Sequence, residues 1–253
     1  MMHNSVSFDN FNPQLLLNKH ILITGTTSGI GQELAITCAQ YGAKTILLGK
    51  NIKKLNKIYD QIMALGLPEP CLVPFNLAGA TPADYQELAV NIGQQFGRLD
   101  GLVHNAAIQG MKTEIIHYDI LKWYETIQVN LNAPFLLTKS LLPLLKLPSQ
   151  SSIIFTTSTQ AITGTAYQGA YGASKAAIKN FMEVLAAECE EHTNIRINAI
   201  NPNKIYSRMY TQNYPATQPE SLPGTKDIMP IYLQLLGDFS QRIHGETINF
   251  NMN

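Results

Sequence analysis

Three residues near the middle of the chain have the types and spacing of a proton-transfer site. Tyr171 and Lys175 are four positions apart, so on a helix they would share one face. A neighbouring ammonium group favours tyrosinate and lowers the pKa of a phenol from about 10 toward neutrality. Ser158 precedes them and carries a hydroxyl that can hydrogen-bond a carbonyl oxygen. The pattern predicts that Tyr171 is a general acid or base acting on a carbonyl group, and an exposed helical pair is the alternative.

A glycine-rich turn lies far upstream of these residues, at positions 24–31. Its glycines, Gly25, Gly29 and Gly31, follow a short apolar run and precede a helical pattern. Glycine permits a tight turn and lets the backbone approach a pyrophosphate closely. The free N–H groups and the dipole of the helix that follows favour negative charge. The turn therefore predicts a bound dinucleotide, whereas a simple strand-to-helix turn would not need three glycines.

The end of the second predicted strand bears on the choice of dinucleotide. NAD is often held there by a carboxylate that bonds the ribose hydroxyls, but the sequence reads Leu48-Gly49-Lys50-Asn51. Lys50, together with Ser28 or Thr26, could instead accommodate a 2′-phosphate. We therefore favour NADP(H) over NAD(H), and NAD(H) stays open because Lys50 could also be a solvated surface lysine.

The elements that would position these residues alternate along the chain. Short segments at His20–Thr24, 45–48, 71–75, Gly101–His104, 152–157, 195–200 and 247–250 are predicted to be strands, the first of them an apolar run that ends in glycine. Helical patterns separate them at about 30–41, 51–65, Pro82–Phe96, 120–145, 171–191 and 227–236, with bends at Pro134 and Pro143. The alternation predicts an α/β fold: a single-domain, Rossmann-type, doubly wound parallel sheet of about seven strands with helices on both faces. Residues 203–226 break the rhythm and are interpreted as a substrate loop or lid.

Composition excludes several classes of function. The 253 residues include 18 Lys+Arg and 18 Asp+Glu, so no charge excess favours nucleic acid or an anionic membrane. The three cysteines, at 38, 71 and 189, show no metal-ligand spacing and fit free thiols in a reducing cytosol. No signal peptide or membrane-spanning run is evident. We expect a cytoplasmic protein with a polar extension at 1–18 and one domain at 19–253.

From about residue 19 to 250 the chain resembles the short-chain dehydrogenase/reductase family. The resemblance is carried by the glycine turn, Asn105-Ala106, Asn130, Asn201-Pro202, and Ser158 with Tyr171-Gly172-Ala173-Ser174-Lys175. The segments 99–106 and 227–230 are most similar to the bacterial YciK-like branch of this family.

The resemblance implies an NAD(P)-dependent oxidoreductase that transfers a hydride between a nicotinamide cofactor and a carbonyl/alcohol substrate. Tyr171 would donate the proton in reduction and accept it in oxidation. Lys175 would bind the nicotinamide ribose and lower the tyrosine pKa, Ser158 would polarise the carbonyl, and Asn130 would hold a water that relays protons to Lys175. The cofactor-binding set would be Gly25, Thr27, Ser28, Gly29, Ile30, Lys50, Asn76, Leu77, Asn105, Ala106, Tyr171, Lys175, Pro202, Ile205 and Ser207.

The resemblance also implies a homo-oligomer, a dimer or a tetramer, in contact through the helices near 120–145 and 171–191. Leu136, Leu137 and Leu141 would lie at such a contact, but they could equally face the sheet.

Candidates for the substrate pocket suit a medium-sized, partly apolar carbonyl compound. They are Gln109, Gln160, Tyr167, Tyr206, Met209 and Tyr210.

Two positions depart from the family pattern, since Ala107 and Asn203 stand where glycine is usual. They motivate an alternative: a nucleotide-binding protein with little catalysis and a sensing or assembly role. Asparagine tolerates positive φ better than most residues, so the backbone at 203 can survive the change. Among the histidines, His104 is expected to be a satisfied core residue, and His192 and His244 to lie on the surface.

Overall fold

The central feature of the computed structural model, which describes residues 7–216, 218, 221–238 and 243–251, is one parallel sheet of seven strands. Each strand lies within one residue of its predicted limits, and the α/β doubly wound fold is confirmed. The strand order is β3-β2-β1-β4-β5-β6-β7. The strands are β1 (His20–Thr24), β2 (Lys44–Gly49), β3 (Cys71–Pro74), β4 (Gly101–His104), β5 (Ser151–Thr156), β6 (Ile195–Asn201) and β7 (Thr247–Asn249).

Helices cover both faces of the sheet, and local sequence signals fix where several begin. The side chain of Asn51 accepts a hydrogen bond from the Lys54 N–H and caps the second helix. Thr81 and Asp84 form a capping box at the start of the third helix. The helices are α1 (Gly29–Gln40), α2 (Ile52–Ala64), α3 (Pro82–Phe96), α4 (Ile120–Ile127), α5 (Ala133–Leu145), α6 (Gly169–Cys189), α7 (Arg208–Asn213) and α8 (Met229–Leu236).

Two apolar layers enclose the sheet. Every residue of β5 and β6 is buried, as expected of strands that are covered on both faces. One layer contains residues of α1, α2 and α8, and the other contains residues of α3, α5 and α6. Leu137 and Leu141 are fully buried in the second layer. These two leucines therefore face the sheet, and oligomerisation stays a prediction.

The helix predicted at 120–145 is interrupted by a π-helical segment, Gln128–Asn132. The Ala133 N–H bonds to the Gln128 carbonyl five residues back, so the helix carries one extra residue there. Pro134 begins α5 and has no N–H to continue the normal ladder. Pro143 lies inside α5, only two residues before the helix ends at Leu145.

Two segments are more ordered than the sequence predicted. The polar extension expected at 1–18 is described from residue 7, and Leu16 there is fully buried in the core beside α1. The Leu16 N–H also donates to the Tyr41 carbonyl, so residue 18 is not a boundary of packing. The loop predicted at 203–226 contains α7, which the Ser207 side chain caps by accepting from the Tyr210 N–H.

The strand order places a crevice at the carboxyl end of the sheet. β2 and β3 lie on one side of β1, whereas β4 lies on its other side and the chain continues outward from there. The connections that leave β1 and β4 therefore run to opposite sides, and a gap opens between them. In open parallel sheets ligands bind at such a reversal point.

Candidate active site

A cavity of about 520 Å³ opens at this reversal point and brings the predicted site residues together. All fifteen residues predicted to bind a cofactor line it. Ser158, Tyr171 and Lys175 line it too, whereas Asn130 lies behind the wall with 2% of its surface exposed. One cavity therefore combines the glycine turn with the predicted proton-transfer groups.

The glycine turn is held against the end of β4 by a small hydrogen-bond network. The Thr24 hydroxyl accepts hydrogen bonds from the Asn105 and Ala106 N–H groups, both at 3.0 Å. The Asn105 side-chain amide donates to the Thr24 carbonyl at 3.1 Å. Gly25 adopts a φ of 72°, and a Cβ there would lie 2.8 Å from the Ala106 Cα. The turn thus needs glycine at 25 both for its backbone conformation and for this close approach.

The groups around the turn suit a phosphate-rich ligand. The Ser28 side chain makes no capping bond at the start of α1, so the first N–H groups of that helix keep their capacity for an anion. Among the described residues that line the cavity, the cations Lys50, Lys175, Lys204 and Arg208 outnumber the carboxylates, of which Glu125 is one. The residues present therefore fit a dinucleotide with its pyrophosphate at α1.

Of the predicted proton-transfer groups, Tyr171 and Lys175 lie on α6 with buried side chains, and the half-buried Ser158 follows the end of β5. Lys175 Nζ lies 5.7 Å from the centre of the Tyr171 ring and donates to the Thr156 carbonyl at 2.7 Å. Tyr171 and Lys175 are 8% and 4% exposed. Ser158 donates its hydroxyl hydrogen to the Gln160 side-chain oxygen. The exposed helical pair considered as an alternative is therefore ruled out.

Burial governs the protonation of this pair. It raises the pKa of Tyr171, and a hydrogen bond with Ser158 opposes that shift. It lowers the pKa of Lys175 to about 8. The expected lowering of the tyrosine pKa by Lys175 is thus not found, because desolvation disfavours both the tyrosinate and the ammonium that would stabilise it. Tyr171 is a protonated phenol at neutral pH, the form that donates a proton.

We expect Lys175→Met to stabilise the cofactor-free protein at neutral pH while abolishing catalysis. Below pH 8 the lysine is charged in both the folded and the unfolded chain, and its burial costs free energy. As pH rises from 8 toward about 10.4, the folded form is neutral while the unfolded form keeps its proton, so the penalty shrinks. Thermal unfolding should show a gain on the order of 2 kcal/mol at pH 7 that decreases by pH 9.5. A gain that grows with pH would contradict this account.

Asn130 is fixed by the loop that follows β4. Its side-chain oxygen accepts from the Ile108 N–H at 2.8 Å, and its amide donates to the Ile108 carbonyl at 2.9 Å and to the Ser174 hydroxyl at 3.0 Å. The residue lies in the π-helical segment, and segments of this kind are frequent at functional sites. Asn130 thereby ties α6 to the β4–α4 loop, immediately behind the cavity.

Several sequence predictions for the cavity need correction. Thr26 is fully buried and does not line it, which leaves Ser28 as the partner of Lys50. Tyr167, which is 52% exposed, and Tyr206 do not line it either. Gln109, Gln160, Met209 and Tyr210 do. The sequence did not predict that Gln168, Lys204, Arg208, Asn213 and Tyr214 also line the cavity.

The histidines among the described residues lie outside the cavity. His104 is buried, stacks on Phe155 and bonds the Thr138 hydroxyl at 2.8 Å, as a satisfied core residue would. Burial lowers its pKa to about 3. His244, predicted to lie on the surface, instead accepts from the Ile197 N–H and bonds the Ala186 carbonyl, so it links β6 to α6. No three His, Cys, Asp or Glu side chains among the described residues could hold a metal ion together.

The helices that the structure describes include none with the length and apolar character of a membrane span.

Comparison with known proteins places the chain. The family model described as short chain dehydrogenase matches residues 19–218. The oxidoreductase YciK of Escherichia coli (strain K12) is 40% identical over 235 residues, which are 93% of this chain and 92% of YciK. A short chain dehydrogenase from Escherichia coli CFT073, solved in complex with NADPH, is 40% identical with a TM-score of 0.91, over 94% of this chain and 99% of that one. One from Pseudomonas syringae is 40% identical with a TM-score of 0.91, over 98% and 99%. The chain therefore belongs to the short-chain dehydrogenase/reductase family of oxidoreductases.

Proposed function

We propose that this protein is an NADP(H)-dependent oxidoreductase of a carbonyl/alcohol pair, with Tyr171 as its proton donor and acceptor. The observation that carries the proposal is the cavity shared by the uncapped start of α1, the buried Tyr171 and Lys175, and the half-buried Ser158. NADPH, when bound, supplies a hydride to the carbonyl carbon. The protein must then supply binding, orientation and one proton.

The chain's own residues provide that proton. Tyr171, protonated at neutral pH, donates its phenolic hydrogen to the carbonyl oxygen as the carbon–oxygen double bond is reduced. Ser158 hydrogen-bonds the same oxygen, which requires its hydroxyl to turn from Gln160 toward the substrate. Lys175, in its ammonium form, returns a proton to the tyrosinate. In alcohol oxidation each transfer runs in reverse.

The π-helical segment supports a route from Lys175 to solvent. In a regular α-helix the carbonyl of residue 130 would accept from the N–H of residue 134, but residue 134 is a proline. The Asn130 side chain already bonds Ile108 and Ser174, so the main-chain carbonyl of Asn130 is the group that could bind a relay water. We therefore assign the predicted water-holding role to the main chain of Asn130, with the side chain fixing its place.

The choice of NADP(H) is supported by the end of β2. Lys50 follows that strand, is exposed and lines the cavity near Ser28. Asn51 is committed to capping α2 and leaves no other polar side chain at the strand end. The homologous NADPH complex from Escherichia coli CFT073 agrees with this choice. NAD(H) lacks the 2′-phosphate that Lys50 would bind.

We expect Lys50→Asp to weaken NADPH binding by about 10-fold to 100-fold, since a hydrogen bond to a charged group contributes about 1.5–3 kcal/mol. NADH binding should change little or improve. Fluorescence titration of both cofactors would measure the two affinities. Lys53→Asp, which makes the same charge change on α2 away from the cavity, is the matched control. An unchanged ratio of the two affinities in Lys50→Asp would show that Lys50 does not select between NADPH and NADH.

A panel of ketones, aldehydes and quinones, assayed by NADPH oxidation, tests the function itself. The proposal expects turnover of at least one carbonyl class. The alternative, a nucleotide-binding protein with a sensing or assembly role, expects tight NADPH binding without turnover of any. The structure weakens one of its two motives, because Asn203 adopts the left-handed conformation, at a φ of 53°, that glycine would supply. The other motive stands, because Ala107 lines the cavity.

A further inference from the structure

Three glutamines line the cavity close to the proton-transfer groups, and the proposed chemistry uses none of them to bind substrate. They are Gln109 on the β4–α4 loop, Gln160 after β5, and Gln168 immediately before α6. Gln168 is 4% exposed and precedes Tyr171 by three positions. Gln168 therefore lies at the start of the helix that carries Tyr171, and both side chains line the same cavity.

Gln109 and Gln168 pair across the cavity wall. The Gln109 amide nitrogen donates to the Gln168 side-chain oxygen at 2.9 Å. A primary amide has two N–H donors and a carbonyl acceptor, so a pair joined by one bond keeps an NH₂ group on one partner and a carbonyl on the other. This holds whichever way the two amides are turned. Among the described residues no side chain or backbone group bonds the Gln168 amide nitrogen or the Gln109 side-chain oxygen.

Gln168 also has no capping duty that would explain its burial. It occupies the residue before α6, but its side chain makes no bond to the first turn of that helix. The Gln168 amide nitrogen and the Gln109 side-chain oxygen are not among the fully buried side-chain atoms that lack a partner, so both reach the open cavity. Since both amides line the cavity, their free groups point to a ligand there.

Gln160 adds a third amide to the same region. Its side-chain oxygen accepts the Ser158 hydroxyl, and that oxygen becomes available to a ligand when the hydroxyl turns toward the substrate carbonyl. All three side chains are uncharged, and they recognise a ligand through directional hydrogen bonds rather than through charge. Such a site discriminates strongly, because an analogue that lacks the matching oxygen leaves buried polar groups unpaired.

We infer that the substrate carries a second oxygen, as a hydroxyl or a carbonyl, near the reacting carbonyl. The Gln168 NH₂ group donates to that oxygen, and the Gln109 carbonyl accepts from it when it is a hydroxyl. The substrate class is thus uncharged hydroxyketones and diketones. This inference rests on the proposed carbonyl reduction at Tyr171 and names the substrates of that site.

A matched pair of ketones tests the inference. 3-Hydroxy-2-butanone and 3-methyl-2-butanone differ by a hydroxyl in place of a methyl, and kcat/KM for each would be measured with NADPH. We expect the wild type to prefer the hydroxyketone by at least about tenfold, as one or two neutral hydrogen bonds predict. Gln168→Met and Gln109→Met should each bring this ratio close to one. Gln95→Met, an exposed change on α3 outside the cavity, is the control and should leave the ratio as in the wild type.

Binding without hydride transfer gives a second readout. Saturation-transfer NMR of 2,3-butanediol and 3-methyl-2-butanol, with no cofactor present, should show tighter binding of the diol in the wild type and no difference in Gln168→Met. Thermal unfolding would show whether each variant is folded. If a folded Gln168→Met lost activity equally on both ketones, the pair would be a structural link between loop and helix and the inference would be overturned.

The outcomes also separate this inference from the proposed function. Turnover of simple ketones with no preference for the second oxygen would overturn the inference and leave Tyr171 chemistry standing. Absence of turnover over the whole carbonyl panel, with NADPH bound, would overturn the proposed function and this inference together.

Discussion

Tyr171→Phe is expected to lower kcat for carbonyl reduction on the order of 10³-fold, while NADPH affinity stays close to that of the wild type. The substitution removes one oxygen from a side chain that is 8% exposed and keeps the ring that packs there. General acid catalysis by a positioned side chain contributes about 10²–10⁴-fold, so its loss should leave only residual turnover. Steady-state NADPH oxidation and fluorescence titration of NADPH measure the two quantities.

The control for this variant is Tyr59→Phe. Tyr59 lies on α2, and its hydroxyl bonds Glu69 outside the cavity. Activity in Tyr59→Phe should equal that of the wild type. Wild-type turnover in Tyr171→Phe would sink the proposed mechanism, because that mechanism takes its proton from the Tyr171 hydroxyl. A loss of NADPH binding as large as the loss of kcat would instead indicate a role in holding the cofactor.

The sequence predicted the sheet well because most of its strands are short, largely apolar segments bounded by glycine, proline or polar residues. In β2, Ile46, Leu47 and Leu48 are consecutive apolar residues and all are buried, as in a parallel strand covered on both faces. The π-helical segment was not predictable in the same way. Its apolar residues continue the helical pattern on both sides. Pro134 indicates an interruption of the helix but does not distinguish a kink from a π-helical segment. The burial of Leu16 was also missed, because a short apolar cluster within a polar terminus shows no period.

The candidate site likewise contains residues that the local sequence predicts and residues that only the fold reveals. Motif residues such as Gly25 and Ser158 could be predicted as site residues because their types and spacing indicate a chemical role. Gln168 could not, since only the fold shows that its side chain turns into the cavity toward Gln109. Spacing also placed Lys175 near Tyr171, but it could not reveal that desolvation outweighs their attraction. Proximity follows from periodicity, whereas the pKa depends on burial, which the whole fold determines.

Gly25→Ala should destabilise the protein by about 3 kcal/mol or more and abolish NADPH binding. The left-handed conformation at a φ of 72° costs an alanine about 1–2 kcal/mol. The added Cβ would also lie 2.8 Å from the Ala106 Cα and 3.0 Å from its nitrogen. Both are backbone atoms of a strand end that Thr24 holds in place, so overpacking adds about 1–3 kcal/mol. Thermal unfolding and NADPH titration measure the two effects.

Gly97→Ala separates conformational strain from the close approach. Gly97 has nearly the same φ, 73°, but a Cβ there would meet no atom within 4 Å. This variant should therefore lose only the strain energy, which for a chain of this size lowers Tm by about 2–4 °C per kcal/mol, and it should bind NADPH as the wild type does. Gly25→Ala should lose more in Tm and lose the cofactor as well. Equal losses of Tm in the two variants, with NADPH still bound, would mean that the turn and β4 can separate without consequence for the site. The fixed contact between Gly25 and Ala106 argues against that outcome, because it joins the two walls of the crevice in which the dinucleotide is proposed to lie.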